Sequence, residues 1–70
     1  SSDLVVRSWS EGRSIVVGGA AARRVVVYDV LGRQVAASDA AADRQRFPVP
    51  HSGVYFISVD DAPACRVVVF

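Results

Sequence analysis

Short apolar runs recur about every ten residues along this chain, and turn-forming residues separate them. Fifteen of the 70 residues are Val and two are Ile. Such β-branched side chains pack well on a pleated sheet and are only moderate helix formers. The pattern predicts seven short strands, over residues 4–9, 14–17, 24–28, 34–37, 45–49, 54–59 and 65–69.

Alternation of apolar and polar residues selects the inward face of four runs, because successive side chains of a strand point to opposite faces. In the first run, Leu4 and Val6 are one candidate pair for the core, and Val5 and Trp9 are the other. Residues 25–27 are apolar on both faces, so their register also stays open. The inward residues predicted elsewhere are Ile15, Val17, Phe47, Val49, Tyr55, Ile57, Val59, Cys65, Val67 and Val69.

Turn residues define the connections between these strands. Residues 29–32, Asp-Val-Leu-Gly, predict a turn with Gly in the left-handed position that joins two antiparallel strands as a hairpin. Gly12 and the glycine pair 18–19 supply positive φ without a side-chain penalty. Pro48 and Pro50 cannot donate ladder hydrogen bonds, so their segment belongs at a sheet edge or in a connection.

The alanine-rich segments 20–22 and 40–42 are too short for stable helices and are predicted to be loops. The fold class predicted from these signals is all-β, a small antiparallel immunoglobulin-like β-sandwich of about seven strands. Residues 1–70 fit a single domain, and we expect it to be an excerpt of a longer precursor.

Composition argues against several function classes. Eight Arg oppose seven Asp and Glu, with no Lys and a net charge of +1, whereas nucleic-acid binders usually carry a strongly basic face. The single cysteine, Cys65, cannot form an internal disulfide. The residues indicate no nucleic acid, no cofactor and no metal.

Candidate catalytic residues are few. His51 and its neighbour Ser52 cannot easily face each other in an extended segment, and no nucleophile elbow accompanies them. Asp60 and Asp61 fit a turn better than a calcium site, because no loop of spaced acidic ligands surrounds them. Cys65 shares its predicted face with core valines, which favours a buried small hydrophobe over a nucleophile. We therefore predict that the chain is not an enzyme.

Arginine pairs and the single tryptophan leave a binding role open. The pairs at 23–24 and at Arg44 and Arg46 can contact anionic sugar or lipid headgroups, although a solvated face is the favoured interpretation. Trp9 fits a sugar-stacking platform and a core position equally well.

Four motifs occur in order along the chain. An apolar strand ends in Tyr28 and Asp29, a turn contains Gly32 and Arg33, a new strand starts at residues 52–55, Ser-Gly-Val-Tyr, and a basic residue opens a final β-branched strand. In this order the chain resembles the C-terminal sorting domains of type IX secretion cargo from Bacteroidetes, over essentially its whole length. The motif positions are Tyr28, Asp29, Gly32, Arg33, Ser52, Gly53 and Tyr55.

The resemblance implies that the domain is a folded sorting signal. Its parent protein reaches the periplasm and passes the type IX outer-membrane translocon, with a shuttle protein, to the cell surface, the outer membrane or the medium. A sortase-like cysteine protease usually removes the domain and attaches the cargo to anionic lipopolysaccharide. The predicted translocon recognition residues are Arg66, Val67, Val68, Val69 and Phe70.

The chain departs from many relatives at this last segment, which carries Arg66 and ends in Phe70 where relatives carry lysines. The alternative is an uncleaved immunoglobulin-like accessory module of a surface protein or of a secretion-machinery component. Such a module would bind carbohydrate or lipopolysaccharide through Trp9 and the arginines, or brace a neighbouring domain. Unpaired edge strands also predict that the excised domain can form a homodimer by strand exchange.

Overall fold

The computed structural model describes residues 6–70, which form seven β-strands. Each strand overlaps one predicted apolar run, so the prediction of seven strands is confirmed. Leu4 and Val5 of the first run lie outside the described residues. No helix in residues 6–70 is long and apolar enough to cross a membrane. The strands are β1 (Arg7–Glu11), β2 (Ser14–Gly18), β3 (Val25–Tyr28), β4 (Gln34–Ser38), β5 (Arg44–Pro48), β6 (Gly53–Val59) and β7 (Ala62–Val69).

The strands form two antiparallel sheets, one in the order β1-β2-β5 and one in the order β4-β3-β6-β7. Buried residues of both sheets meet in one core between them. The prediction of a small antiparallel β-sandwich of about seven strands is thus confirmed for the described residues.

The core confirms the predicted inward faces and resolves the two open registers. Val25 and Val27 point into the core, and Val26 is buried on the opposite face of β3. Val6 packs against the core, whereas Trp9 lies on the outer face of β1, beside Gly18. Every predicted inward residue belongs to the core cluster except Cys65, which packs against it while partly exposed.

The two alanine-rich segments are loops, as predicted, and they fasten one end of the sandwich, here called the alanine end. Ala20 and Ala41 are buried in the core. The Ala22 amide donates to the Ala41 carbonyl at 2.8 Å, and the Ala41 amide donates to the Arg23 carbonyl at 2.9 Å. These backbone hydrogen bonds join the β2–β3 and β4–β5 connections, both of which cross from one sheet to the other.

Two prolines lie in edge strands, where a missing N–H is tolerated. Pro48 ends β5, an edge strand of the three-stranded sheet. Pro63 lies in β7, an edge strand of the four-stranded sheet, opposite Ser58 and next to a register shift between Ile57 and Ser58. β7 therefore starts earlier than predicted, because an edge strand tolerates this proline.

Candidate recognition surface

The predicted turn after β3 is built around the Asp29 carboxylate. Its Oδ1 accepts from the amides of Leu31 at 2.9 Å and Arg33 at 3.0 Å, and its Oδ2 accepts from Arg33 Nε at 3.0 Å. These hydrogen bonds, led by the Arg33 amide, hold the pKa of Asp29 below its ordinary value. Gly32 adopts φ +80°, as predicted. Asp29, Gly32 and Arg33 thus shape the hairpin and leave the carboxylate no free role.

The second motif shapes the start of β6. Gly53 has φ +146°, a conformation that L side chains rarely adopt, although the space around its missing Cβ is open. Tyr55 is buried, and its hydroxyl donates to the His51 carbonyl at 2.6 Å. Ser52 and His51 are exposed, and within residues 6–70 their side chains make no hydrogen bond. The Tyr55 hydroxyl thus ties the start of β6 to the segment that precedes it.

The motifs meet at one end of the sandwich, here called the motif end. A shallow cavity of about 270 Å³ is lined by Asp29 and Arg33 from one motif and by His51 and Tyr55 from the other. Gly53 pairs with Val69, so the end of β7 reaches the same place. Residues far apart in the sequence are thereby brought together by the antiparallel pairing of β3, β6 and β7.

The predicted recognition residues divide between the two faces of β7. Val67 and Val69 are buried in the core and cannot contact a partner without unfolding. Arg66 and Val68 point outward, Val68 being 40% exposed. Phe70 is 93% exposed. The segment can therefore present Arg66, Val68 and Phe70, while its two inward valines anchor it.

The outer face of the four-stranded sheet, here called the open face, is largely apolar. Tyr28 pairs with Phe56, which in turn pairs with Arg66 across β3, β6 and β7. Phe56 is 42% exposed. An apolar groove of about 420 Å³ runs beside it, lined by Tyr28, Phe56, Ser58 and Pro63 among others. Sequence reasoning overlooked Phe56, although its place between the inward Tyr55 and Ile57 already marks it as outward.

The outer face of the three-stranded sheet, here called the closed face, is covered by its own side chains. The Trp9 indole N–H donates to Glu11 Oε2 at 2.7 Å, and Arg46 Nη2 donates to Glu11 Oε1 at 2.7 Å. Arg44 Cζ lies 5.8 Å from the centre of the Trp9 ring, a cation–π geometry. Trp9 and Arg46 flank Val16, which is buried beneath them. The hydrogen bonds from Trp9 and Arg46 hold the pKa of Glu11 below its ordinary value.

The remaining residues that the sequence singled out have structural roles. Asp60 and Asp61 form the β6–β7 turn with φ of 51° and 66°, and their carboxylates bind Arg23 at 2.8 Å and Arg24 at 3.3 Å. The hydrogen bond from Arg23 leads in lowering the pKa of Asp60. The Cys65 thiol donates weakly to the Val6 carbonyl at 3.8 Å. Residues 6–70 contain no cluster of three or more metal-ligating side chains.

Comparison with protein-family models gives a match over residues 3–69 to DUF6383, a domain of unknown function. No curated protein and no solved structure gives a significant match. Because the family model covers nearly the whole sequence, the chain belongs to the DUF6383 family.

Proposed function

We propose that this domain is a sorting signal of the type IX kind, which carries its parent protein from the periplasm through the outer-membrane translocon to the cell surface. One observation supports the proposal most: the motif residues of three separate segments gather at one end of the sandwich, where Gly53 pairs with Val69 at the end of β7. The motif series thus converges at one end of the sandwich.

In this proposal the domain functions as a ligand that a receptor recognises. Val67 and Val69 hold β7 in the core, and Arg66, Val68 and Phe70 offer a cation and apolar groups to a receptor. Backbone groups at a sheet edge add affinity, and outward side chains add specificity. In this proposal the translocon and its shuttle protein bind the domain, a sortase-like cysteine protease cleaves it from the cargo, and the cargo is attached to lipopolysaccharide.

The test is a fusion of the 70 residues behind a signal peptide and a folded reporter, expressed in a Bacteroidete with a working type IX system and in a translocon-deficient strain. We expect the reporter at the surface or in the medium of the first strain only, and its mass will show whether the domain is cleaved. A folded reporter that stays in the periplasm of both strains would contradict the proposal.

A variant with Arg66→Ser, Val68→Ser and Phe70→Ser tests the contribution of β7. Its matched control is Gln34→Ser with Ala37→Ser, two exposed residues of β4 at the opposite edge of the same sheet. We expect lower export for the first variant and normal export for the control, with circular dichroism showing that both are folded. Equal export of the two would exclude β7 as the recognised strand.

A second candidate function, an accessory module that binds an anionic glycan, is favoured by a cavity of about 300 Å³ beside Trp9. Arg7 and Arg44 line this cavity together with Asp43, and neither arginine forms an ion pair within residues 6–70. Trp9 is the sole tryptophan, so its fluorescence reports on this site directly. Titration with purified lipopolysaccharide should shift the emission, and Arg7→Gln with Arg44→Gln should abolish the shift; an unchanged spectrum excludes this function.

A further inference from the structure

We propose that the open face docks an apolar protein surface that presents a carboxylate to Arg66. The inference rests on the proposed function, because it identifies the surface by which the sorting receptor would bind. It also moves recognition beyond β7, to Tyr28 on β3 and Phe56 on β6.

The side chains that carry the inference form two cross-strand rows. Tyr28, Phe56 and Arg66 are successive partners across three neighbouring strands, and Val54 pairs with Val68 in the next row. Phe56 and Val68 are 42% and 40% exposed, and Tyr28 is partly exposed. An aromatic pair beside an arginine is the side-chain chemistry that dominates protein interfaces, where Tyr, Phe and Arg are enriched.

Charge identifies the chemistry of the partner. Arg66 forms no ion pair within residues 6–70, whereas Arg23, Arg24, Arg33 and Arg46 each do. The register places no carboxylate on the outward side of this sheet among the described residues. Asp61 lines the groove, but its carboxylate binds Arg24 at 3.3 Å. Within residues 6–70, the Arg66 guanidinium is therefore available to bind a carboxylate of another molecule.

The same charges disfavour two other occupants. A two-fold interface between copies of this chain uses the same patch twice, so it would place two Arg66 guanidinium groups in one interface, and residues 6–70 of neither copy supply an outward carboxylate from this sheet. Each basic residue near an anionic membrane contributes only about 1 kcal/mol to binding, and Arg66 is the one basic residue on the described strands of this face. A foreign protein with an acidic and apolar surface satisfies both the arginine and the aromatic pair.

The export reporter described above tests the inference with one substitution on β6 and one on β7. Phe56→Ser and, separately, Arg66→Glu should each lower export about tenfold, as expected for residues central to an interface. Arg66→Lys should retain most export, because the positive charge remains. The matched control is Arg13→Glu, an exposed arginine in the turn between β1 and β2 that also forms no ion pair within residues 6–70. Thermal melts of the purified variants establish that each is folded.

A photo-crosslinking amino acid at position 56 identifies what touches the face. We expect an adduct with a translocon component, absent when Arg66→Glu is also present. An adduct with a second copy of this chain or with lipid overturns the inference. Normal export of both Phe56→Ser and Arg66→Glu, beside an exported wild type, overturns it and leaves the proposed function standing. Failure of the wild type itself to be exported overturns both.

Discussion

The two outer faces of the sandwich contrast in how they are covered. On the closed face, Trp9, Glu11 and Arg46 bind one another over the buried Val16. On the open face, Phe56 is exposed beside Tyr28, and Arg66 lacks a carboxylate partner within the described residues. Both faces contain aromatic residues and arginine, so composition does not separate them. The difference lies in Glu11, a carboxylate that binds both an indole and a guanidinium.

The sharpest test of this contrast compares neighbouring residues of β6. Ile57→Ala, on the buried side, should lower the free energy of unfolding by about 3 kcal/mol, through lost transfer energy and a residual cavity. Phe56→Ala, on the open face, should cost less than about 1 kcal/mol despite its larger side chain. Urea denaturation measures both. Equal losses would show that Phe56 supports the fold and is not free for a partner.

The stability of the domain should depend more on Trp9 of the closed face than on Phe56 of the open face. Trp9→Ala removes the cover over Val16 and the indole donor to Glu11, and should lower the free energy of unfolding by about 2 kcal/mol. Trp9→Phe keeps most of the packing over Val16 but lacks the indole N–H, so it should lower the free energy of unfolding by less than Trp9→Ala does. A loss for Trp9→Ala no larger than that of Phe56→Ala would remove the distinction between the faces.

Acid should weaken the closed face, because the Glu11 carboxylate binds both Trp9 and Arg46 there. The pKa of Glu11 is lowered from its ordinary value of 4.5 in the folded chain, and those of Asp29 and Asp60 from 3.8. A lowered folded pKa gives stability that is complete above the ordinary value and is lost as pH falls through the folded one.

Melting temperatures should therefore fall below about pH 4.5, and Glu11→Gln should flatten part of this dependence. Asp39→Asn is the control, because the Asp39 side chain is 97% exposed and lies 3.8 Å from Arg24. An unchanged pH profile for Glu11→Gln would mean that the Glu11 network does not persist in solution.

The smallest effect concerns Gly18, which lies under the Trp9 ring. A Cβ at Gly18 would meet the ring at 3.5 Å, an ordinary van der Waals contact, and the backbone there is extended. Gly18→Ala should therefore raise the free energy of unfolding by about 0.5 kcal/mol, by restricting the unfolded chain. Gly32→Ala should lower it by about 1 kcal/mol, because Gly32 has φ +80°. Destabilisation by Gly18→Ala would show that the ring packs closer than the structure places it.

Much of this fold was predictable from the sequence, because alternation with period two is a local signal. It identified the strands and placed Ile57 and Val67 inside. Other features depend on pairing between distant segments. Sequence spacing did not indicate that β5 would join β2 or that Phe56 would lie between Tyr28 and Arg66. The prediction that Gly18 supplies positive φ was wrong, because Gly18 belongs to β2 and only Gly19 has φ +87°.

Backbone hydrogen bonds between the two alanine-rich loops hold the alanine end of the sandwich together. Ala22 and Ala41 connect two segments that each pass from one sheet to the other, so sliding of the sheets past each other must break these backbone bonds first. Opening motions should therefore begin at the motif end. In hydrogen exchange, the amides of Ala22 and Ala41 should exchange nearly as slowly as those of the central strands, although they lie in loops.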